Sequence, residues 1–252
     1  QYKSMLEKTP NDGDILFALA LIAMENERDA EAKRYLERMV RWDRRTVTAH
    51  YYLGRIAERS SDTNAALDHY RQVVDGYEYV SAQSRIGSLL VKEGLWDEAR
   101  EHLSRERNQY PDKADQLLLI EAQLLADRGL ESDVFDFLND ILSVDPSNIE
   151  LLYFRAMTGQ RFGYLEILEA DLRRIIEIDP DNADALNALG YTLADQTDRH
   201  EEALELIKKA LRIKPDEAAF IDSMGWVQYR LQNYQSALLH LRKALALFQN
   251  DE

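Results

Sequence analysis

Five histidines, His50, His69, His102, His200 and His240, are the side chains best suited to acid–base or metal chemistry. No two of them lie three or four residues apart, so no pair shares a helix face as a helical metal site requires. The chain has no cysteine, which removes thiolate nucleophiles, disulfides and sulfur ligands, and fits cytosol and periplasm alike. No P-loop, GxSxG turn or dinucleotide glycine run occurs. Carboxylate pairs such as Glu201 and Glu205 read as solvated helix faces. Titratable groups scattered in this way do not converge on one reacting atom. No catalytic, cofactor-binding or metal residue is therefore assigned, and the chain is not read as an enzyme.

The chemistry that remains is non-covalent, and it depends on the elements that present the side chains. Ala, Leu, Glu and Arg, all strong helix formers, dominate the 252 residues, whereas Gly (10) and Pro (5) are scarce. The expected class is all-α. The prolines are Pro10, Pro111, Pro146, Pro180 and Pro215, with gaps of 101, 35, 34 and 35, and 101 is close to three times 34. All five fall in one phase. Proline lacks a backbone N–H and marks the end of a helix, and the Asp, Ser or Asn that follows it can cap the next. Small residues keep the same period. Ala20 and Ala32, Gly54 and Ala66, Gly87 and Ala99, and Gly225 and Ala237 are twelve apart, and Gly190 and Ala203 thirteen. Each pair is expected to bring two antiparallel helices close. Leu53, Tyr70 and Val73 in one period, and Leu189, Leu206 and Ala210 in another, fill the space between.

Charge narrows the partners. The net charge is −15, and it is concentrated: residues 101–200 hold 9 Lys+Arg against 21 Asp+Glu. Such a middle repels a phosphate backbone and an anionic membrane surface, so nucleic acid is excluded as a partner. It suits a basic partner segment, or serves only to keep a long surface soluble. No run of 18 apolar residues spans a membrane. The chain opens on Gln1 inside a helical pattern and shows no signal peptide, so it reads as a fragment or a processed product whose leader or anchor lies outside it.

A self-similar period near 34 with these Gly, Ala and Pro positions resembles the tetratricopeptide repeat family. The likeness implies a solenoid of helical hairpins, a right-handed superhelix, with seven repeats at 13–46, 47–79, 80–113, 114–148, 149–182, 183–217 and 218–251 in a single array. Residues 1–9 resemble the second helix of an earlier repeat and are expected to fray. The pattern is weakest in the fourth and fifth repeats, where Glu121 and Ala156 take the glycine-like position. Arg242 and Lys243 are expected to suit the dipole at the end of the last helix. No polar capping helix follows it, so the natural chain is expected to extend further or to contact something there.

In this family the first helix of each hairpin lines a concave groove. Carried onto this sequence, that places Thr48, Tyr51, Arg55, Glu58 and Arg59 on the inner face of the second repeat. In the fifth repeat it selects Glu150, Tyr153, Met157, Gln160 and Arg161. In the sixth it selects Asn187, Tyr191 and Asp195, and in the seventh Ala219, Asp222, Trp226, Tyr229 and Arg230. Trp96 reads as packing, and Trp42 as packing or an edge residue. Trp226, Tyr51, Tyr191, Tyr153 and Met157 remain open between ligand contact and packing. The Lys/Asn/Arg carboxylate clamp of chaperone-tail members is not met, because Lys92 and Asn187 lie three repeats apart.

Residues 187–195 (NALGYTLAD) and 221–230 (IDSMGWVQYR), with 52–57 (YLGRIA) and 154–157 (FRAM), resemble envelope tetratricopeptide proteins of proteobacteria. They are most similar to the pseudomonad outer-membrane lipoproteins that partner a periplasmic carboxy-terminal processing protease. That likeness implies an adaptor on the periplasmic side of the outer membrane, joining the protease to substrates such as cell-wall hydrolases. Membrane attachment would come only through an anchor outside this segment. Two alternatives stay open: a structural scaffold of an export or polysaccharide-secretion complex, and the targeting array of a longer regulatory or catalytic chain.

Overall fold

The computed structural model describes Tyr2, Leu6, Glu7 and residues 9–249. Among these residues the chain forms fourteen α-helices and one short 3-10 turn, with no strand. Two compact units divide it, Gln1–Arg128 and Gly129–Glu252. The first holds α1 (Gly13–Glu25), α2 (Asp29–Arg41), α3 (Thr46–Arg59), α4 (Thr63–Tyr70), α5 (Tyr79–Lys92), α6 (Trp96–Gln109) and α7 (Ala114–Asp127). The second holds α8 (Glu131–Val144), α9 (Ile149–Phe162), α10 (Leu165–Ile178), α11 (Ala183–Gln196), α12 (His200–Ile213), α13 (Ala218–Arg230) and α14 (Tyr234–Phe248). Each expected repeat contains two helices, and each repeat boundary falls within about a residue of a helix start. Of the expected N-terminal helix, Tyr2, Leu6 and Glu7 are helical, and the rest lies outside the described residues.

The turn inside most hairpins has one design. Glu27, Ser61, Gly94, Gly163 and Gln232 have positive φ and close the first helix of their repeats. In each case the next residue donates its N–H five residues back: Arg28 to Ala23, Asp62 to Ala57, Leu95 to Leu90, Tyr164 to Gly159 and Asn233 to Gln228. This is the six-to-one bond of a Schellman motif, which satisfies a carbonyl that the helix end would leave bare. Three of these left-handed positions are not glycine, so they carry backbone strain. The sixth repeat departs from the pattern. Its extra residue puts Thr197 in extended backbone at the end of α11, and the Thr197 hydroxyl donates to Leu193 O at 2.6 Å.

Helix starts are set two residues after proline rather than one. Asp12, Asn148 and Asn182 accept from backbone N–H groups of the first turns of α1, α9 and α11. Asp181, directly after Pro180, does not cap. Asp145 and Asp179, each just before proline, instead accept from the N–H two residues on. These aspartates brace the turn, and the asparagine then starts the helix.

The small residues are buried as expected, but their role differs from simple mutual approach. A Cβ on Gly54 would lie 2.6 Å from the Tyr70 ring, on Gly190 2.7 Å from Ile207 Cγ1, and on Gly225 2.6 Å from Leu241 Cγ. Each glycine makes room for a large side chain sixteen or seventeen residues later. Only Gly190 also meets the backbone of its small partner, at 3.0 Å from Ala203 O. Leu53, Tyr70, Val73, Leu189 and Ala210 are buried, and Leu206 is partly so. Arg242 and Lys243 do not reach the last turn of α14, which carries no basic residue. Lys243 instead sits 3.6 Å from Asp216.

Candidate protein-binding face

The sequence-selected inner residues of the second repeat are spent on the fold of the first unit. Thr48 is buried. The half-buried Tyr51 ring packs 5.3 Å from Tyr52 and 5.8 Å from Tyr70. The Arg55 guanidinium lies 5.6 Å from the centre of the Tyr52 ring. Glu58 accepts from the Tyr70 hydroxyl at 2.8 Å and from Arg85 at 3.1 Å, and Arg59 pairs with Asp29. Burial and the Glu58 carboxylate push the Tyr70 phenol far up, so it stays protonated and donating. These side chains contact one another and their neighbours, while Arg55 and Arg59 stay exposed.

The second unit differs. Asn187 and Tyr191 are one turn apart on α11, and Ala219, Asp222 and Trp226 follow one edge of α13, so each set shares a face. Asn187, Tyr191 and Asp222 line a cavity of about 320 Å³ with Gln160 of α9, Ser223 of α13 and Phe248 at the end of α14. Tyr191 is 37% exposed. Its phenol is pushed up by burial first, and then by the Asp195 and Asp222 carboxylates. The Asn187 Oδ1 and Trp226 Nε1 atoms are buried without a hydrogen-bond partner. Buried polar atoms are paired in the great majority of cases, so an acceptor and a donor left open on one face are unusual. The Trp226 ring stacks on Tyr229 at 5.5 Å, and Tyr229 lies 5.7 Å from Tyr234, forming an aromatic row with half-exposed outer members.

Not every inner residue of the second unit is open. Arg230 donates to the Asp195 carbonyl at 2.7 Å and so satisfies the C-terminal end of α11. Tyr153 and Met157 are half-buried on α9 and do not line the cavity, although Gln160 on the same helix does. Trp96 is partly buried against Leu103 and Leu117, with Arg128 4.8 Å over its ring, and Trp42 is exposed at the end of α2.

Three groups escape sequence reasoning. His50 and His69, nineteen residues apart, meet across α3 and α4 with Nδ1 atoms 3.1 Å apart, so one ring donates to the other. Burial and the neighbouring ring lower the His50 pKa, and burial and Lys33 lower that of His69. Helix-face spacing cannot show a pair made between helices. Among the described residues no group of three or more His, Asp or Glu could hold a metal. Glu121, in the glycine-like slot of the fourth repeat, is only 1% exposed and accepts from Arg100 at 2.9 Å and Arg107 at 2.5 Å. Asp171 is buried likewise and takes a two-pronged pair from Arg155 at 2.8 and 2.7 Å. The fourth repeat thus holds a buried, ion-paired carboxylate in the slot where the fifth keeps the small, fully buried Ala156. Two arginines seven apart on α6 were the available signal for the pairing of Glu121.

Models described as the tetratricopeptide repeat match residues 17–81, 51–114 and 172–205, together more than half of the chain. The chain belongs to the tetratricopeptide repeat family. It is 44% identical over 204 residues to TPR repeat-containing protein PA4667 of Pseudomonas aeruginosa, which covers 81% of this chain and 35% of that protein. It is 23% identical over 199 residues to human protein O-mannosyl-transferase TMTC1, covering 77% of this chain and 22% of that one. The chain thus spans about a third or less of the length of these relatives. Among solved structures, MamA residues 41 to the end from Desulfovibrio magneticus RS-1 superimposes with a TM-score of 0.52 at 18% identity, covering 70% of this chain and 98% of that one. A tetratricopeptide repeat protein from Parabacteroides merdae gives 0.52 at 13% identity, covering 79% of each. These two likenesses establish the fold of stacked helical hairpins. The tetratricopeptide array is a protein-interaction scaffold.

Proposed function

We propose that this array is a non-enzymatic adaptor of the bacterial cell envelope that brings a carboxy-terminal processing protease together with its substrates. The contact surface is the inner face of the second unit. The observation that carries this is the cavity lined from α9, α11, α13 and α14, where Gln160, Asn187, Tyr191, Asp222 and Phe248 come together. Exposed carboxylate and amide groups beside aromatic anchors, as Asp222, Gln160 and Tyr191 are here, suit contact with a protein ligand. The envelope and protease parts draw support from residues 187–195 and 221–230, which resemble the pseudomonad lipoproteins, and from the 44% identity to a Pseudomonas aeruginosa protein. An adaptor of this kind acts by raising effective concentration and does no chemistry of its own. The test is a pull-down from a bacterial envelope extract with this chain as bait, read by mass spectrometry. The expected catch is a carboxy-terminal processing protease or cell-wall hydrolases. Secretion-machine components without either would overturn the adaptor reading in favour of a structural scaffold.

A further inference from the structure

The cavity of the second unit has a chemistry narrower than general protein binding. Its nine lining residues include no lysine or arginine. Asp222 contributes an exposed carboxylate, and Gln160 and Asn187 contribute amide groups, of which Asn187 Oδ1 is buried without a hydrogen-bond partner. Ser223 keeps its hydroxyl hydrogen on Ala219 O at 2.9 Å, so that oxygen too presents lone pairs. A second carboxylate, Asp195, acts on Tyr191 from one turn further along α11. Neither Asp195 nor Asp222 forms an ion pair among the described residues. Arg230, eight residues from Asp222, is occupied at the Asp195 backbone carbonyl rather than at either side chain, and Arg199, four residues from Asp195, is occupied at Glu169 and Glu202. Tyr191 and Phe248 add two partly exposed rings to the walls.

Acceptors, an unneutralised carboxylate and aromatic walls with no resident cation define a receptor for a cation. The geometry points to an arginine side chain carried on an extended segment of the partner protein. We infer arginine rather than lysine because a planar guanidinium stacks on rings, spreads five donors over several acceptors and sheds its water more easily than an ammonium. This inference rests on the reading that the inner face of the second unit is the contact surface, and it names the side chain that face selects.

The test is an amide chemical-shift titration of the whole chain with two blocked pentapeptides. One has arginine at the centre of four alanines, and the other has citrulline, which keeps the shape and loses the charge. The arginine peptide is expected to perturb residues 187–192 and 219–226 and to saturate at a concentration roughly ten times lower than citrulline. Asp222→Asn, an isosteric change at an exposed position, is expected to abolish that preference while far-UV circular dichroism stays constant. Equal saturation by both peptides, perturbation confined to other helices, no perturbation at millimolar peptide, or a preference surviving in Asp222→Asn would each overturn the inference. A third pentapeptide, with lysine at its centre, is titrated in the same way, and its saturating at a lower concentration than arginine would overturn the choice of guanidinium. The envelope pull-down separates this from the adaptor reading. A recovered protease with failed peptides removes only the arginine pocket, and discriminating peptides with no protease or hydrolase recovered remove only the adaptor.

Discussion

The second and sixth repeats each carry a tyrosine on the expected inner face, Tyr51 three residues before Gly54 and Tyr191 one residue after Gly190, and use it in opposite ways. In the second, Tyr51 is wedged between Tyr52 and Tyr70, and Glu58 and Arg59 bind Tyr70, Arg85 and Asp29. In the sixth, Tyr191 lines a cavity that also holds Asn187 and, from the next repeat, Asp222. Both units bury an ion-paired carboxylate, Glu121 in the first and Asp171 in the second, and they differ in their other charged groups. The first holds three histidines below their usual range. The second ties Glu169 and Glu202 to Arg173 and Arg199 in a partly exposed ring of ion pairs across α10 and α12. The lesson is that position within a repeat says which way a side chain faces. It does not say whether a neighbouring repeat has already claimed it.

The largest effects should fall on the packing that differs between the units. Glu121→Ala leaves Arg107, and to a lesser degree Arg100, facing an empty buried slot. It should destabilise the first unit by about 2–3 kcal/mol in chemical denaturation, below the cost for a fully buried pair because Arg100 is half exposed. Gly190→Ala, whose methyl meets Ile207 and the Ala203 carbonyl, should cost the second unit about 1–3 kcal/mol. If Gly190→Ala were neutral, the close approach of α11 and α12 would be softer than described.

Binding gives the next contrast. Tyr191→Ala and Trp226→Ala should each weaken partner affinity roughly tenfold or more with helicity by circular dichroism unchanged. Tyr51→Ala should instead lower stability and leave affinity alone. Loss of helicity in Tyr191→Ala would make that ring a packing residue and erase the difference between the units.

Acid should separate the units without any mutation. His50, His69 and His102 have folded pKa values below the ordinary 6.5, chiefly through burial, so unfolding takes up protons once the pH drops. Their contribution is complete above about pH 6.5 and fades as the pH falls beneath it. Glu169 and Glu202 are held below the ordinary 4.5, so the stability they give persists above that value and is lost only as the pH falls through their folded values. Hydrogen exchange at pH 7.5 and 5.5 should therefore show loss of protection in the first unit alone. The smallest effect is at the strained turns. Gln232→Gly and Ser61→Gly relieve a left-handed non-glycine residue and should raise stability by up to about 1 kcal/mol, visible as a higher midpoint.

Most of the fold was legible because its signals are local. Proline phase and small-residue spacing come from chain termination and helix approach, which depend on the residue itself. The site was legible only in part. Asn187, Tyr191 and Asp222 converge as their helix positions suggested, whereas Arg230 is drawn off by a bare carbonyl at the end of α11. Asp181 was expected to cap and does not, because the asparagine one residue later has the extended backbone a cap needs. The His50–His69 contact and the pairing of Glu121 are long-range events that no periodicity within one helix encodes.

The central claim, that the second unit's inner face meets the partner and the first unit's does not, is tested most directly by photo-crosslinking. p-Benzoylphenylalanine is placed at position 191 in one protein and at position 51 in another, and each is irradiated in envelope extract. Adducts with a partner protein should form from position 191 and not from position 51. Adducts confined to position 51, or equal yields from both, would contradict it.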